Sequence, residues 1–267
     1  MKATEASEGG ARGAELVYES FAPVYDEFTA HHDYELWFGN VLPKVEAHDL
    51  RVGRALDVAC GTGKSFMPLL ERGWEVTGCD ISAQMVEIAR AKVGDRVELL
   101  VADMRELPRL GEFDLVSCPG DALNYMLSEK ELEAALRGMR ENLAPHGLLL
   151  FDAVAVNAHR TFWAETTVVE EGGMKLIWRG LTDPEVEPGS FAEARFEVEL
   201  PDGGEPPVEP QTHRQRHFPE AAILAAVERA GLECLDVWGH HYDAVPHQPL
   251  DEDSDIKGVY IARRATA

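Results

Sequence analysis

The chain has 267 residues, of which 45% are hydrophobic, and this suffices for a full core in one large domain or one domain with an insertion. Its 48 acidic and 25 basic residues give a formal net charge of −23, which repels phosphate backbones and anionic membranes, so we expect neither nucleic acid nor a membrane as a partner. No run of about 18 apolar residues occurs, and the four cysteines lack zinc-finger spacing, so we expect a cytoplasmic protein without a metal site.

Residues 1–40 are predicted to form a tail followed by an aromatic helical lid. Residues 1–12 are polar and rich in glycine, which predicts a loose tail rather than a signal peptide. Aromatic side chains then recur at roughly helical spacing, at Tyr18, Phe21, Tyr25, Phe28, Tyr34 and Trp37. Such a stripe fits a helix packed on the core, and it also fits a lid over a bound cation, because aromatic faces attract cations.

Residues 41–155 are predicted to form the core of the fold. Short apolar runs rich in Val or Leu alternate with amphipathic segments, and the runs cover residues 55–59, 75–79, 97–101, 113–118 and 148–151. Runs that are apolar on both faces are typical of parallel strands covered on both sides. Helices are predicted over residues 64–72, after Ser82 as N-cap, and after Ser128, which opens a capping box with Glu131. The alternation predicts a doubly wound α/β sheet.

The pattern changes after residue 155. Residues 156–217 are predicted to form an antiparallel insertion on the substrate side, with strands over 162–170, 174–182, 191–200 and 211–217 separated by Gly- and Pro-rich turns. Residues 218–267 are predicted to add a final helix and a β-hairpin that complete the core sheet. The acidic segment 251–255 lacks the glycine of an EF-hand calcium loop, so we expect a solvated loop there.

A glycine turn between the first strand and its helix is the strongest local signal, and it reads DVACGTGKS over residues 57–65. Glycine permits a sharp turn and a close approach of the backbone to a ligand, and the helix behind it offers free N–H groups. A phosphate-binding P-loop needs glycine where Val58 stands. A dinucleotide fingerprint needs glycine or alanine where Phe66 stands. Val58 and Phe66 therefore oppose a P-loop phosphate site and a nicotinamide oxidoreductase.

Asp57, Ala59, Gly61 and Gly63 match the first motif of the class I S-adenosylmethionine-dependent methyltransferases, an acid followed by spaced small residues. The chain therefore resembles this family. The resemblance implies a Rossmann-like, seven-stranded α/β sheet with the antiparallel insertion after the fifth strand, and S-adenosyl-L-methionine as the cofactor. In that family the loop faces the methionyl part of the cofactor rather than a pyrophosphate.

Further residues match the family in chain order. Asp80 ends the second strand, where a carboxylate accepts hydrogen bonds from both ribose hydroxyls. The resemblance implies that Asp103 accepts from the adenine amino group, that Ile81 and Met104 sandwich the ring, and that the end of the fourth strand at Cys118 abuts the transferred methyl group.

Candidate catalytic residues come from two places. The loop after the fourth strand must border the methyl group, so we favour Asp121 and Tyr125 there. In the insertion, His213 and His217 are four apart, which places them on one face of a strand, and we add His217 to the candidates. A general base matters only if the acceptor arrives protonated. Tyr25 is expected near the sulfonium or the carboxylate of the cofactor.

The overall plan resembles the sugar N-methyltransferases of antibiotic biosynthesis. Shared features are the Tyr25-Asp26 start, the A-C-G-T-G turn, the insertion after the fifth strand, and a helix that ends at Ala230-Gly231-Leu232. Tyr125 stands where several of those enzymes carry histidine. We therefore predict methyl transfer to a nitrogen or oxygen of a small-molecule substrate, with a cofactor-binding sensor or scaffold as the alternative, and the sequence leaves a homodimer open.

Overall fold

The computed structural model of the chain describes residues 4–266, and it describes side chains from residue 13 onward. Two helices, α1 (Thr4–Phe28) and α2 (Tyr34–Glu46), precede the first strand. The prediction of a loose tail over residues 1–12 is wrong for residues 4–12, which belong to α1, while residues 1–3 lie outside the described part. Within the described residues, no helix combines the length and apolarity that a membrane span requires.

The central sheet has seven strands in the spatial order β10-β11-β5-β4-β1-β2-β3. Its parallel part consists of β1 (Arg54–Val58), β2 (Glu75–Asp80), β3 (Glu98–Val101), β4 (Phe113–Cys118) and β5 (Leu143–Val154). The hairpin β10 (Leu232–His240) and β11 (Lys257–Arg264) adds the remaining strands, with β11 antiparallel to β5. The predicted Rossmann-like sheet and its completing hairpin are confirmed.

Helices connect the strands and cover both faces of the sheet. They are α3 (Met67–Glu71), α4 (Ala83–Val93), α5 (Glu129–Glu141), α6 (Val156–Arg160) and α7 (Glu220–Arg229). The predicted caps are confirmed, because Ser82 Oγ accepts from the N–H of Met85 and Ser128 Oγ accepts from the N–H of Glu131. The prediction of a helix from residue 64 is wrong: α3 starts at Met67, because the preceding residues form the turn that follows β1.

The insertion after β5 is a four-stranded antiparallel sheet, as predicted. Its strands are β6 (Thr166–Glu171), β7 (Met174–Gly180), β8 (Phe191–Glu199) and β9 (Gln211–Arg216), in that spatial order. Burial alternates strictly along β8 and β9, so one face of this sheet is packed. The packed face meets α1, where the rings of Phe21 and Phe196 lie 4.6 Å apart.

Candidate functional site

A cavity opens at the carboxyl ends of β1, β2, β3 and β4 and is bordered by α1 and α2; its empty space, including the part that is open to solvent, is about 790 Å³. Ligands of open α/β sheets bind at this end of the strands. The cavity is therefore the candidate site, and its lining decides which chemistry it supports.

The turn after β1 forms one wall of the cavity. Ala59, Gly61 and Gly63 have φ values of +59°, +53° and +88°, so left-handed residues alternate along the turn and fold it tightly. Ala59 and Gly61 line the cavity. Gly63 lies behind them, where an added Cβ would come within 2.7 Å of the Phe66 ring. Gly63 therefore serves close packing of the turn rather than direct contact with the cavity.

Asp57 lies beneath the turn and is fully buried. Its two carboxylate oxygens accept hydrogen bonds from the hydroxyls of Ser65 at 2.5 Å and Ser117 at 2.7 Å. Burial raises the pKa of Asp57 to about 6 despite these donors. Asp57 does not line the cavity. The structure thus places this predicted cofactor residue as a support that shapes the turn from behind.

Asp80 ends β2 and faces the cavity, with only 7% of its surface exposed. Its Oδ2 accepts from the N–H of Gly61 at 2.8 Å, and its Oδ1 accepts from the N–H of Ser82 at 2.9 Å. These bonds tie the end of β2 to the turn after β1. Burial raises the pKa of Asp80 to about 6. A carboxylate oxygen has two acceptor positions, so each oxygen retains capacity for a ligand hydroxyl.

Asp103 and Met104, which follow β3, also line the cavity, as does Ile81, which follows β2. Both Asp103 oxygens accept from the guanidinium of Arg105, at 2.6 to 3.0 Å, and Oδ1 also accepts from the backbone N–H of Arg105. The carboxylate is thereby held in a fixed orientation beside two apolar side chains. The structure brings these three predicted residues to one cavity with Asp80.

These residues fit an adenosyl ligand. Carboxylates at the ends of β2 and β3 accept from hydroxyl and amino groups, and the apolar side chains of Ile81 and Met104 suit the faces of a ring. An added Cβ on Gly61 would lie 3.8 Å from the Tyr25 ring and would fill the gap between the turn and α1. Lys64 donates to the carbonyl and hydroxyl of Thr29, which does not suit a phosphate-binding role.

Four tyrosines line the cavity beside the turn: Tyr18, Tyr25, Tyr34 and Tyr125. Burial raises the pKa of all four phenols, so they are neutral over the usual pH range. Their rings and hydroxyls give this end of the cavity a neutral, aromatic and polar lining. Such a lining attracts a cation without binding it as tightly as a carboxylate would.

His213 of β9 contacts Tyr125 from the antiparallel sheet, although it does not itself line the cavity. Its Nδ1 lies 2.9 Å from the hydroxyl of Tyr125, and the ring packs against Phe21 and Trp178. His213 is only 1% exposed, and burial lowers its pKa to about 3, so its imidazole is neutral. Its Nε2 has no hydrogen-bond partner among the described residues. Sequence reasoning had weighed His213 but had not paired it with Tyr125.

Asp121 and His217 are engaged elsewhere. Asp121 accepts from Lys257 at 2.8 Å and from Gln215 at 2.7 Å, and it does not line the cavity. His217 is buried beyond the end of β9, where Nδ1 accepts from the N–H of Gly189 and Nε2 donates to Glu252. Both of its ring nitrogens are thus occupied, and His217 does not line the cavity.

Cys118 is fully buried in the sheet and does not line the cavity. The first residues after β4 that line the cavity are Pro119 and Gly120. An added Cβ on Gly120 would lie 2.9 Å from the hydroxyl of Tyr34, so glycine permits close contact there. The prediction from the resemblance placed the end of this strand beside the methyl group. In the structure, the loop that follows Cys118, and not Cys118 itself, lines the cavity.

Sequence reasoning missed Lys257 and Asp152. Lys257 donates to both Asp121 and Asp152, and Asp152 also accepts from the backbone N–H groups of Gly120 and Asp121. Burial lowers the pKa of Lys257, but the two carboxylates outweigh it and raise that pKa above its usual value. This charged network fixes the loop after β4. No local sequence motif predicts this network, because its members come from three separate segments.

A model of a methyltransferase domain matches residues 55–147. "Putative methyltransferase YqeM" of Bacillus subtilis is 31% identical over 245 residues, which cover 86% of this chain and 92% of that protein. A dTDP-3-amino-3,6-dideoxy-alpha-D-glucopyranose N,N-dimethyltransferase of Streptomyces fradiae is 28% identical over 201 residues, covering 75% and 78%.

The fold agrees with these matches. A crystal structure of an S-adenosylmethionine-dependent methyltransferase from Clostridium acetobutylicum has a TM-score of 0.76 at 20% identity, over 93% of this chain and 99% of that one. S-adenosyl-L-methionine is the cofactor of the family, and the cavity residues fit it. The similarity favours an enzyme over the alternative of a binding protein without turnover. The chain belongs to the S-adenosylmethionine-dependent methyltransferases.

Proposed function

We propose that the chain methylates an amine nitrogen of a small polar molecule, and that the acceptor lies between the tyrosines of the cavity and β9. The neutral pair of Tyr125 and His213 is the observation that carries this proposal. A neutral amine attacks with its own lone pair and needs no strong base. An alcohol must lose a proton as it attacks, and an imidazole whose pKa is lowered to about 3 is a poor base for that step.

The names of relatives agree with a nitrogen acceptor. The Streptomyces fradiae relative is named for dimethylation of an amino sugar, and a Parasynechococcus marenigrum relative, 34% identical over 160 residues, is named a glycine/sarcosine N-methyltransferase. These acceptors differ in size but share an amine. We propose that the acceptor of this chain shares the amine with them, and we propose neither of the named molecules as that acceptor.

At the cofactor end, we propose that Asp80 and Asp103 hold the ribose and adenine, with Ile81 and Met104 on the ring and the turn at Ala59 and Gly61 beside the methionyl part. When bound, S-adenosylmethionine supplies a methyl group on a positively charged sulfur. Tyr25 borders the turn, and its neutral ring offers a face to that charge. The chain's main contribution is then to orient the acceptor and to exclude water, which is worth on the order of 7–11 kcal/mol.

At the acceptor end, we propose that β9 supplies the recognition surface. Gln211, His213 and Gln215 alternate on its buried side, and each has a side-chain nitrogen or oxygen without a hydrogen-bond partner among the described residues. Buried polar atoms are costly when they remain unpaired. A polar acceptor with several hydroxyl or amino groups would satisfy them. Tyr125 and His213 touch the acceptor in this proposal.

The division of labour along the chain follows from this arrangement. We propose that residues 41–155 bind the cofactor, that residues 156–217 form the acceptor side, that residues 218–267 complete the sheet, and that residues 1–40 cover the cavity. In this scheme Asp57, Gly63 and Cys118 support the cofactor turn and the strand ends. Asp121 and His217 are positioning residues rather than catalytic ones.

The test is an acceptor panel read by release of S-adenosylhomocysteine. Amino sugars, amino acids and simple amines are each paired with the analogue that carries a hydroxyl in place of the amine. We expect turnover with one or more amines and at least about tenfold less with the paired alcohol, which corresponds to about 1.4 kcal/mol in the barrier. Faster methylation of the alcohols would contradict the assignment of nitrogen. Binding of S-adenosylhomocysteine, measured separately by calorimetry, checks that the protein is folded.

A further inference from the structure

Three side chains with metal-binding atoms meet in the connection between β10 and β11. They are His241, His247 and Asp255, and one ligand atom from each lies within 4.8 Å of the other two. None of them lines the cavity at the strand ends. We infer that this connection binds one divalent transition-metal ion of the zinc type, through two imidazoles and one carboxylate.

The spacing of the ligand atoms suits such an ion. Asp255 Oδ1 lies 2.8 Å from His247 Nε2 and 3.5 Å from His241 Nδ1. Zinc binds nitrogen and carboxylate oxygen at about 2.0–2.2 Å, so ligand atoms around a tetrahedral ion lie roughly 3.3–3.5 Å apart. The 3.5 Å separation matches this value, whereas the 2.8 Å separation is a hydrogen bond between His247 and Asp255, which must widen slightly to admit the ion. Two histidines and one carboxylate are also a recurrent ligand set for zinc and other transition metals.

Asp255 is built into the fold as a buried carboxylate. It is 0% exposed, and its Oδ2 accepts from the backbone N–H of Asp251 at 2.8 Å, which leaves Oδ1 directed at the imidazoles. An added Cβ on Gly239 would lie 1.9 Å from Asp255 Oδ2, so glycine at that position makes room for the carboxylate. The expectation of a solvated acidic loop is therefore wrong for Asp255. A buried carboxylate that is ionised is normally paired with a positive charge or bound to a metal ion.

The two imidazoles leave the site accessible. The side chains of His241 and His247 are 51% and 40% exposed, so an ion can enter from solvent and keep a water molecule as a fourth ligand. The backbone bond of Asp251 to Oδ2 orients the carboxylate, which is the role that outer partners play around metal ligands. Solvent access and an oriented carboxylate are both present without any rearrangement of the chain.

The metal site is connected to the cavity through the chain, because Asp255 lies two residues before Lys257. Ile256, next to Asp255, donates its N–H to the carbonyl of His240, and Lys257 follows at the start of β11. Lys257 holds the loop after β4 through Asp121 and Asp152. A metal ion bound at Asp255 would fix the segment that leads directly to this lysine. This inference does not depend on the identity of the methyl acceptor.

The test is a calorimetric titration of the full chain, prepared without a histidine tag, with zinc chloride. We expect one zinc ion per chain in the wild type. Loss of an outer partner of a metal ligand costs about 10- to 100-fold in affinity, so we expect His241→Ala and His247→Ala to bind zinc at least about 100-fold more weakly. The exposed His146, far along the chain from this connection, supplies the matched control His146→Ala, which should bind as the wild type does.

The visible spectrum of bound cobalt(II) is a second measurement of the site. Cobalt(II) should give the intense visible bands of a tetrahedral site in the wild type and in His146→Ala, but not in His241→Ala. His241→Ala retains the contact of His247 with Asp255, so it should fold even if Asp255→Asn does not. Absence of saturable zinc binding, or equal affinity in the His241, His247 and His146 variants, would overturn the inference.

Discussion

The hydroxyl of Tyr125 lies 2.9 Å from Nδ1 of His213, although 88 positions separate the two residues in the chain. One residue belongs to the loop after β4 and the other to the inserted sheet. Their contact joins the cofactor-binding half to the antiparallel insertion at the cavity wall, which Tyr125 lines. In the proposed function this pair contacts the acceptor, so it is the first place to test the proposed chemistry.

Tyr125→Phe should lower kcat with little effect on cofactor affinity. The variant keeps the ring but leaves Nδ1 of the buried His213 without its partner, which costs about 1–3 kcal/mol. We expect kcat to fall by roughly tenfold, since about 1.4 kcal/mol corresponds to one order of magnitude. A double-mutant cycle with His213→Ala should show strong coupling. Full activity in Tyr125→Phe would remove this tyrosine from the proposed mechanism.

Asp121→Asn distinguishes a positioning residue from a general base. The amide oxygen still accepts a hydrogen bond from Gln215 or Lys257 and can hold the loop, so we expect a modest loss of less than about tenfold in kcat/KM, which is below about 1.4 kcal/mol. The pH profile of kcat should remain that of the wild type. A loss of about 100-fold or more, in the range of a removed general base, would restore Asp121 to the catalytic group.

Asp80→Asn tests the cofactor end. Hydrogen bonds to a charged group contribute about 1.5–3 kcal/mol each, so weakening two of them should raise the Kd for S-adenosylhomocysteine by roughly 100-fold. The amide oxygen still accepts from one of the N–H groups of Gly61 and Ser82, which limits damage to the turn. Calorimetry measures the Kd, and circular dichroism checks the fold. An unchanged Kd in a folded variant would refute the ribose assignment.

Asp57→Asn should reduce the pH dependence of stability. Burial raises the pKa of this carboxyl from 3.8 to about 6, so its protonated form favours the folded state. That contribution is fully present below pH 3.8 and is lost as the pH rises through about 6. At about 1.4 kcal/mol per pH unit, it amounts to roughly 3 kcal/mol at most.

Urea unfolding midpoints between pH 4 and pH 7, roughly the window of this transition, measure the effect. The difference between wild type and Asp57→Asn should grow as the wild type becomes less stable with rising pH. Asp95→Asn, at an exposed position, serves as the matched control and should parallel the wild type. A pH dependence that Asp57→Asn leaves unchanged would show that the carboxyl is ionised in the folded state throughout.

Gly120→Ala should narrow the cavity. Gly120 has a φ of +81°, and the new Cβ would lie 2.9 Å from the hydroxyl of Tyr34. Gly189 has a φ of +86° but nothing within 4 Å of its Cβ position, so Gly189→Ala carries the backbone strain alone, about 1–2 kcal/mol. We expect both variants to lose similar stability and only Gly120→Ala to lose kcat/KM. Adding Tyr34→Phe should restore part of that activity; an equal loss in both glycine variants would exclude the steric effect.

The alternation of strands and helices could be predicted from local patterns, because a strand buried on both faces leaves a continuous apolar run. The caps at Ser82 and Ser128 are equally local and are confirmed. The start of β6 was harder to predict from the sequence. The apolar pattern predicted a strand from Phe162, but Phe162 stacks on Trp178 at 5.2 Å, and the strand begins only at Thr166. Tertiary packing outweighed strand propensity at this point.

Some features of the candidate site could likewise be predicted from the sequence, and others could not. The turn at Ala59 and Gly61 and the carboxylate of Asp80 follow directly from β1 and β2, so their convergence could be predicted from strand order. The pairing of Tyr125 with His213 could not, because it depends on how the inserted sheet packs against the core. The same holds for the contact of Lys257 with Asp121. Such contacts join segments that no sequence motif relates to one another.

Helix α1 touches both halves of the molecule. Glu19 accepts a hydrogen bond from the hydroxyl of Ser82 on the cofactor side, and Asp26 accepts from Thr62 in the turn. On its other side, Phe21 packs on Phe196 of the inserted sheet. Ligands on either side therefore stabilise one shared helix. We expect binding of cofactor and acceptor to be mutually cooperative, and each ligand to slow amide hydrogen exchange along α1.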